Sequence, residues 1–410
     1  MRIERRTMMN ALKLEEATKG KIVLIKGQSR YNVLRLACDV MARGFEEQGY
    51  DTVTIDLAFV TNLEEMVDII NKEMADRGLF VFSFNALCHE VYNANDIALY
   101  DWLDYPVYGF LVDYPYFHHS RLCLTQSDKI TIGCVDYNHV TYLEQYYPNI
   151  KHVHFVPHFS FQNKELEPYG SRVIDIFFPG SFDNPQIHLD TLKQLPEVFY
   201  NIAKSIIAMM LKDINLTVEE ALRLYLASVY FTYSESEFVE IMDQIYILDH
   251  YIRSYYRDKI IRTILDAGIT LTVCGQGWEQ LKETYSENLN VIGTEGLDIE
   301  DNVKLIANSK ILLNILPSFK NGTHERIFTS MLNKCICLTN PNQYFEQHFK
   351  DKEEILYYRL DALETLPAII EHALLSSDEM SQITERAYQV ALDNYSMKHV
   401  AGIVLKQMGV

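Results

Sequence analysis

The chain has 410 residues, a formal net charge of −19, 48% hydrophobic residues and 23% charged ones. That length exceeds what one hydrophobic core usually serves and predicts two domains, and the composition is globular and excludes disorder. A surface this acidic repels nucleic-acid backbone and anionic lipid, so neither is an expected partner.

The first half alternates strand and helix signals. Lys21–Lys26 is a short β-branched run closed by Gly27-Gln28-Ser29. From Tyr31 to Gln48 apolar residues recur at helical spacing, with Gly49 as the stop. Thr52–Ile55 predicts a second strand, and Asn62–Ala75 a helix capped by Asn62 with Glu64 and Glu65 in its first turn. Leu79–Ser83, Val107–Val112, Lys129–Gly133 and His152–Val156 continue the strands. The pattern breaks between His158 and Ser171, where a hinge is expected. Val173–Phe178 reopens it and ends in Pro179-Gly180-Ser181. A helical insert is predicted over about 189–267, then a strand at Thr270–Cys274 that runs into Gly275-Gln276-Gly277-Trp278. Further strands fall at Leu289–Ile292, Lys310–Ile315, Cys335–Leu338 and Glu354–Tyr358. Helices are predicted at Asp301–Asn308, His324–Asn333, Leu360–Ser376, Asp378–Tyr395 and Met397–Gln407.

Strand–helix repetition implies parallel sheets, because parallel neighbours need crossover helices. The expected fold is α/β, two Rossmann-like doubly wound domains facing a crevice at the carboxyl ends of their strands. Their expected extents are 1–160 and 161–395, with the insert in the second. The remaining 396–410 forms a C-terminal helix for which a place against the first domain is suggested.

Seven scattered cysteines with no CxxC pair argue against a disulfide framework or zinc site and fit a reducing cytoplasm. Cys335 and Cys337 read as buried strand residues. Met1–Gly20 is charged throughout, unlike a signal peptide, and the apolar run near Phe199–Leu211 is too short to span a bilayer. The reading is therefore cytoplasmic, without a transmembrane segment.

Charge is uneven in the second domain. From Asn302 to Asn340 there are five bases (Lys304, Lys310, Lys320, Arg326, Lys334) and one acid (Glu325), a local +4. A helix opening near Thr323 would present free N–H groups and positive dipole to a phosphate, with Gly322 permitting close approach and Arg326 forking onto oxygens. The alternative is a solvated basic face with an ordinary Thr cap. Gly180-Ser181 and Gly275–Trp278 sit where an open parallel sheet collects ligands. No GxGxxG or GxxxxGK[ST] motif occurs, which lowers dehydrogenase and P-loop readings. Asp113 follows an apolar strand and is expected at its carboxyl end, as a general base or an acceptor-hydroxyl ligand; otherwise it is a helix cap. His118 or His119 suits the same work near neutral pH, or belongs to an aromatic core. Asn85, His89 and Glu90 follow a strand, placed over an acceptor or simply lining a turn, and Gly27-Gln28-Ser29-Arg30 is a further candidate acceptor-side loop. No HExxH, DxD or Cys/His cluster occurs, so no metal site is expected and leaving-group charge must fall to helix dipole and Lys/Arg.

Ser309-Lys310, Leu313-Asn314, Gly322-Thr-His-Glu-Arg-Ile-Phe328 and the strand at Cys335, with Asp175–Ser181, Arg257–Arg262, Gly275–Trp278 and Val112–Pro115 in order, resemble the CgeB-type (spore maturation protein-like) glycosyltransferases. The resemblance implies a GT-B fold and a metal-independent glycosyltransferase. A nucleoside-diphosphate-sugar donor, a UDP-sugar above all, would bind the second domain, and a protein, glycan or small-molecule acceptor the first. By position it assigns donor contacts to Gly180, Ser181, Gly277, Thr323, His324 and Arg326; Gly275, Trp278, Lys320, Gly322 and Glu325 complete the expected donor set. Group-1 relatives hold the ribose with a Glu whose place is taken here by Thr329, with Glu325 as a substitute. The catalytic expectation rests on Asp113, His118 and Arg326. No cofactor is implied, and a homo-oligomer is compatible. The competing readings are a GT-B nucleotide-sugar epimerase or hydrolase, and a non-catalytic nucleotide-sugar-binding scaffold.

Overall fold

The computed structural model describes residues 18–123 and 126–410. The charged N-terminal stretch lies, up to residue 17, outside the described residues. The first sheet has six parallel strands: β1 (Lys21–Lys26), β2 (Asp51–Asp56), β3 (Gly78–Phe84), β4 (Val107–Leu111), β5 (Ile130–Cys134) and β6 (His152–Phe155), in the order β2-β1-β3-β4-β5-β6. Its central strands are apolar on both faces because helices cover both, and β4 and β5 are buried at every position. Flanking helices include α1 (Val33–Glu46), α2 (Leu63–Ala75) and α3 (Tyr137–Tyr146). Asp136 starts α3 by accepting the Asn138 N–H at 2.7 Å, a cap the sequence reading did not use.

The second sheet is β7 (Ile174–Pro179), β8 (Leu271–Cys274), β9 (Leu289–Val291), β10 (Ser309–Asn314), β11 (Ile336–Thr339) and β12 (Leu356–Tyr357), ordered β12-β11-β10-β7-β8-β9. Strand order reverses between β7 and β10, so the crevice beyond their carboxyl ends is where this topology gathers ligands. Between β7 and β8 run α4 (Pro185–Leu192), α5 (Glu197–Lys212), α6 (Val218–Ser228), α7 (Glu235–Ile245) and α8 (Ile247–Asp266). Capping boxes at Thr217/Glu220 and Ser234/Glu237 start α6 and α7, each satisfying two helix-end donors. Then follow α9 (Ile299–Ala307), α10 (Glu325–Leu332), α11 (Gln343–His348), α12 (Leu366–Leu375), α13 (Ser377–Tyr395) and α14 (Met397–Gln407). The helix predicted from Leu360 starts later because Pro367 lies in its first turn, where a missing N–H costs nothing.

The two sheets are joined by contacts of backbone quality. Asp136 bridges Gly322, Thr323 N donates to Val135 O at 2.9 Å, and Tyr137 N donates to Asn321 O at 3.1 Å. The expected hinge is tied along α10. His158 N donates to Thr323 Oγ1 (2.8 Å), Phe161 N to Thr329 Oγ1 (3.1 Å) and Asn163 N to Asn333 Oδ1 (2.8 Å). The last helix, α14, returns to the first sheet. Its Met397 and Ala401 approach Gly44 of α1 so closely that a Cβ there would fall 2.9 Å from a backbone oxygen, and Gln407 accepts from Tyr108 and donates to Phe155 O.

Candidate functional site

The crevice centres on the ring of Phe178, in β7 and fully buried. Arg257, on α8, stands 5.4 Å from its centroid and Arg326, on α10, 5.7 Å. Arg257 Nη1 donates to Ser181 O at 2.6 Å, and Arg326 Nη1 reaches Asn314 Oδ1 at 3.4 Å. One turn earlier on α8, Arg253 presents the same face, since residues four apart align. It pairs with Asp249 at 2.8 Å, and its guanidinium touches His250 Nδ1. Burial, then the Arg326 and Arg253 charges, pull the Arg257 pKa down to about 9; burial also lowers Arg326 despite Glu325. Arg257 and Arg326, both desolvated and lowered, mark a place short of negative charge, whereas the acids Asp249, Asp113 and Asp183 raise Arg253 against its burial.

A cavity of about 260 Å³ lies against these groups, lined by Gly180, Ser181, Asp183, Arg257, Glu325 and Arg326 on its polar side and by Cys274, Ile299 and Ile306 on its apolar side. The first domain closes it. Arg30 Nη2 donates to Gln276 Oε1 (2.6 Å) and Ser181 Oγ (3.2 Å), Tyr31 Oη lies 3.3 Å from Ser181 Oγ, and Asn32 donates to Asp298. Tyr31 and Asn32 both adopt left-handed backbone (φ 56° and 57°), costly for side-chain-bearing residues. Burial pushes the Glu325 carboxyl up to about 7, with Arg326 opposing at 3.9 Å.

Across the crevice Asp113 stands just past β4, at the strand end where the sequence placed it. Asn85 holds it, donating to Asp113 Oδ2 (3.1 Å) while accepting from Val112 N (3.0 Å). Burial takes the neighbouring His118 pKa down to about 4 against the pull of Asp113, so its ring is neutral at pH 7. Arg121 lies close by, bonded to Glu90 Oε1 and Asn85 O, each at 2.8 Å.

Several expected residues do other work. Gly322 and Thr323 spend their backbone on Asp136 and Val135, and a Cβ at Gly322 would meet Asp136 at 2.5 Å; close approach is needed there by the other domain rather than by a ligand. The helix accordingly opens at Glu325, and His324 caps it by accepting the Arg326 N–H at 3.2 Å. Lys320 is turned away, its ammonium held by the carbonyls of Ile214 and Pro317 in a separate cleft below the insert. Lys304 is exposed and paired with Asp301. Trp278 is fully buried and donates to Gly180 O at 2.9 Å, so it buttresses the loop. Gly277 (φ 86°) is there because a Cβ would strike Phe182 O, and Gly275 (φ 126°) because one would strike the Gly180–Ser181 backbone. His89 is buried edge-on to Tyr100, and His119 bonds Tyr147 and faces the insert, so neither reaches the crevice. Ser29 Oγ accepts from Leu34 N at the start of α1, while Gln28 is exposed on the closing loop. Thr329 serves Phe161 N and is buried. Sequence reasoning missed Arg253 and Tyr31 and gave Arg257 no role, and Arg30, expected in an acceptor-side loop, instead reaches Ser181 and Gln276. The signal for Arg253 and Arg257 was two arginines four apart on a helix leading into a strand.

Residues 255–406 match the sequence model of a family described as glycosyl transferase-like. No curated protein matches the chain in sequence. Among solved structures, an alpha-glucosyltransferase in complex with UDP superposes with a TM-score of 0.57 at 10% identity, covering 95% of this chain and 100% of its own. Sucrose-phosphate synthase from Thermosynechococcus elongatus gives 0.54 at 9% identity (95% and 99% covered). Anabaena Alr3699/HepE in complex with UDP-glucose gives 0.53 at 10% (95% and 99%). The fold is thus GT-B, the two-domain architecture of these glycosyltransferases. No helix among the described residues is long and apolar enough to cross a membrane.

Proposed function

We propose that the chain is a glycosyltransferase that takes a nucleoside-diphosphate-sugar donor in the crevice and passes the sugar to an acceptor held by the first domain. The observation that carries this reading is the convergence of Arg257 and Arg326 on Phe178 at the strand-order reversal of the second sheet, with Arg253 one turn away on α8. As the bond between the sugar C1 and the phosphate oxygen breaks, negative charge grows on the diphosphate. Preorganised guanidinium groups in a dry site stabilise that charge without reorganisation. This supports donor activation without a metal, and turnover unaffected by a chelator is its check. The apolar end of the cavity suits a base and Glu325 the ribose hydroxyls in place of Thr329. The UDP and UDP-glucose complexes of the neighbours favour uridine. The acceptor oxygen bonds C1 and loses its proton, to Asp113 in an inverting transfer or to the departing phosphate oxygen in a retaining one, where His118 contacts the sugar instead. The Gly322–Phe328 block favours placement with the CgeB-type enzymes.

At about 260 Å³ the cavity falls just below the ~300–1,000 Å³ of ordinary ligand pockets, so donor loading requires the Arg30–Asn32 loop to withdraw. A thermal-shift series with nucleoside diphosphates and their sugars tests the reading, because a native-state ligand raises stability by mass action. UDP and a UDP-sugar should raise Tm in the native chain and not in the Arg257→Ala/Arg326→Ala double variant. A native chain indifferent to every nucleotide sinks the proposal, as does an epimerised nucleotide sugar formed without acceptor.

A further inference from the structure

The insert carries a second concave surface, independent of the crevice and unused by the reaction. A groove of about 640 Å³ runs between α5, α6 and α7. Its floor is Phe199, Ile202, Leu226 and Ile241, and its lip is Val198, Val229 and Phe231, left 59%, 50% and 48% exposed. Beside the lip Tyr230 stands 95% exposed. Isolated exposed apolar residues are ordinary, but a contiguous set lining a cavity marks an interaction site.

Charge selects the occupant. Glu237, Glu240 and Asp243 line one wall at helical spacing on α7, and no lysine or arginine lines any wall. Glu240 and Asp243 have no ion-pair partner among the described residues. The stretch 185–247 holds nine acids and four bases. An apolar trough between helices with one acidic wall fits an amphipathic helix whose apolar stripe is flanked by Lys and Arg. A second copy of this chain would bring acid to acid, and an anionic membrane would be repelled.

We propose that this groove docks a basic amphipathic helical segment of a partner protein, recruiting the enzyme without occupying its crevice. The probe is a labelled synthetic amphipathic peptide of leucine and lysine, titrated by fluorescence anisotropy against the full chain at physiological salt, with a leucine–glutamate peptide as counterpart. The lysine peptide should bind and the glutamate peptide should not. Val198→Glu/Phe231→Glu and, separately, Glu240→Lys/Asp243→Lys should each weaken binding about tenfold or more. Glu283→Lys/Glu287→Lys, an equal charge change at exposed positions outside the groove's lining, should leave it within about twofold. All positions substituted on the lip and the control surface are solvent-exposed, so folding is preserved, and an unchanged Tm verifies it. No binding, or equal weakening by the control pair, overturns the proposal. So does concentration-dependent dimerisation that Val198→Glu/Phe231→Glu abolishes, which would make the groove a self-association face.

Discussion

The crevice and the insert groove are concave surfaces of one acidic chain, and they are opposite in almost every property. The crevice holds Arg257 and Arg326 over a buried aromatic ring, with Arg253 one turn back on α8, and is roofed by a strained loop from the other domain. The groove holds no Lys or Arg, is open, and is apolar with an acidic wall. Net charge of −19 describes neither. Arg257 and Arg326 stand where partial desolvation strengthens their hold on an anion, and Glu237 and Glu240 where they remain hydrated. The contrast teaches that a charge is informative in proportion to the solvent it has lost.

The sharpest way to break the comparison is at the arginines. Arg326→Ala should lower kcat/KM about 10²–10³-fold, some 3–4 kcal/mol of transition-state stabilisation, with Tm nearly unchanged or higher because a repelled buried charge is gone. Steady-state kinetics beside a melting curve checks both halves. A loss confined to KM would instead make Arg326 a binding group alone.

Next in size is the wall that shapes the crevice. Gly277→Ala forces a Cβ onto Phe182 O at a φ of 86°, and should cost about 3 kcal/mol or more, read as a shifted denaturation midpoint. The same change at Gly268, where φ is 75° but no atom lies within 4 Å, should cost only about 1 kcal/mol.

A smaller effect separates the inner face of the insert from its outer one. Glu219 on α6 is buried beside Tyr114, and burial pushes its carboxyl up to about 7. An acid with a raised folded pKa binds more protons in the native state than unfolded. Its contribution is therefore complete below pH 4.5 and lost as pH rises through 7. Glu219→Gln should match the native chain near pH 4.5 and gain roughly 2–3 kcal/mol at pH 8, measured by urea denaturation at the two pH values. Smallest of all, Arg30→Ala removes exposed hydrogen bonds across the crevice and should cost about 0.5–1 kcal/mol, appearing as faster donor dissociation in stopped-flow.

Much of the architecture was legible in the chain. Apolar β-branched runs ending in glycine, spaced by amphipathic stretches, specify parallel strands and crossover helices by local periodicity and chirality alone. Asp113 was readable too, because a carboxylate directly after a buried strand has only the sheet's carboxyl end to occupy. Arg326 was legible from local charge, though its helix starts two residues later than expected. What sequence could not supply was which surface each loop residue would meet. Gly322 and Thr323 have the character of a phosphate loop, yet their backbone is spent on Val135 and Asp136. Lys320 belongs to the same basic segment and is turned the other way, onto carbonyls. Arg257, by contrast, lies about seventy positions before Arg326 and meets it only because α8 and α10 converge on Phe178. Strand and helix identity follow from interactions within a few residues, and the chain carries those on its face. A site built from three elements depends on long-range packing, and only the tertiary structure decides it.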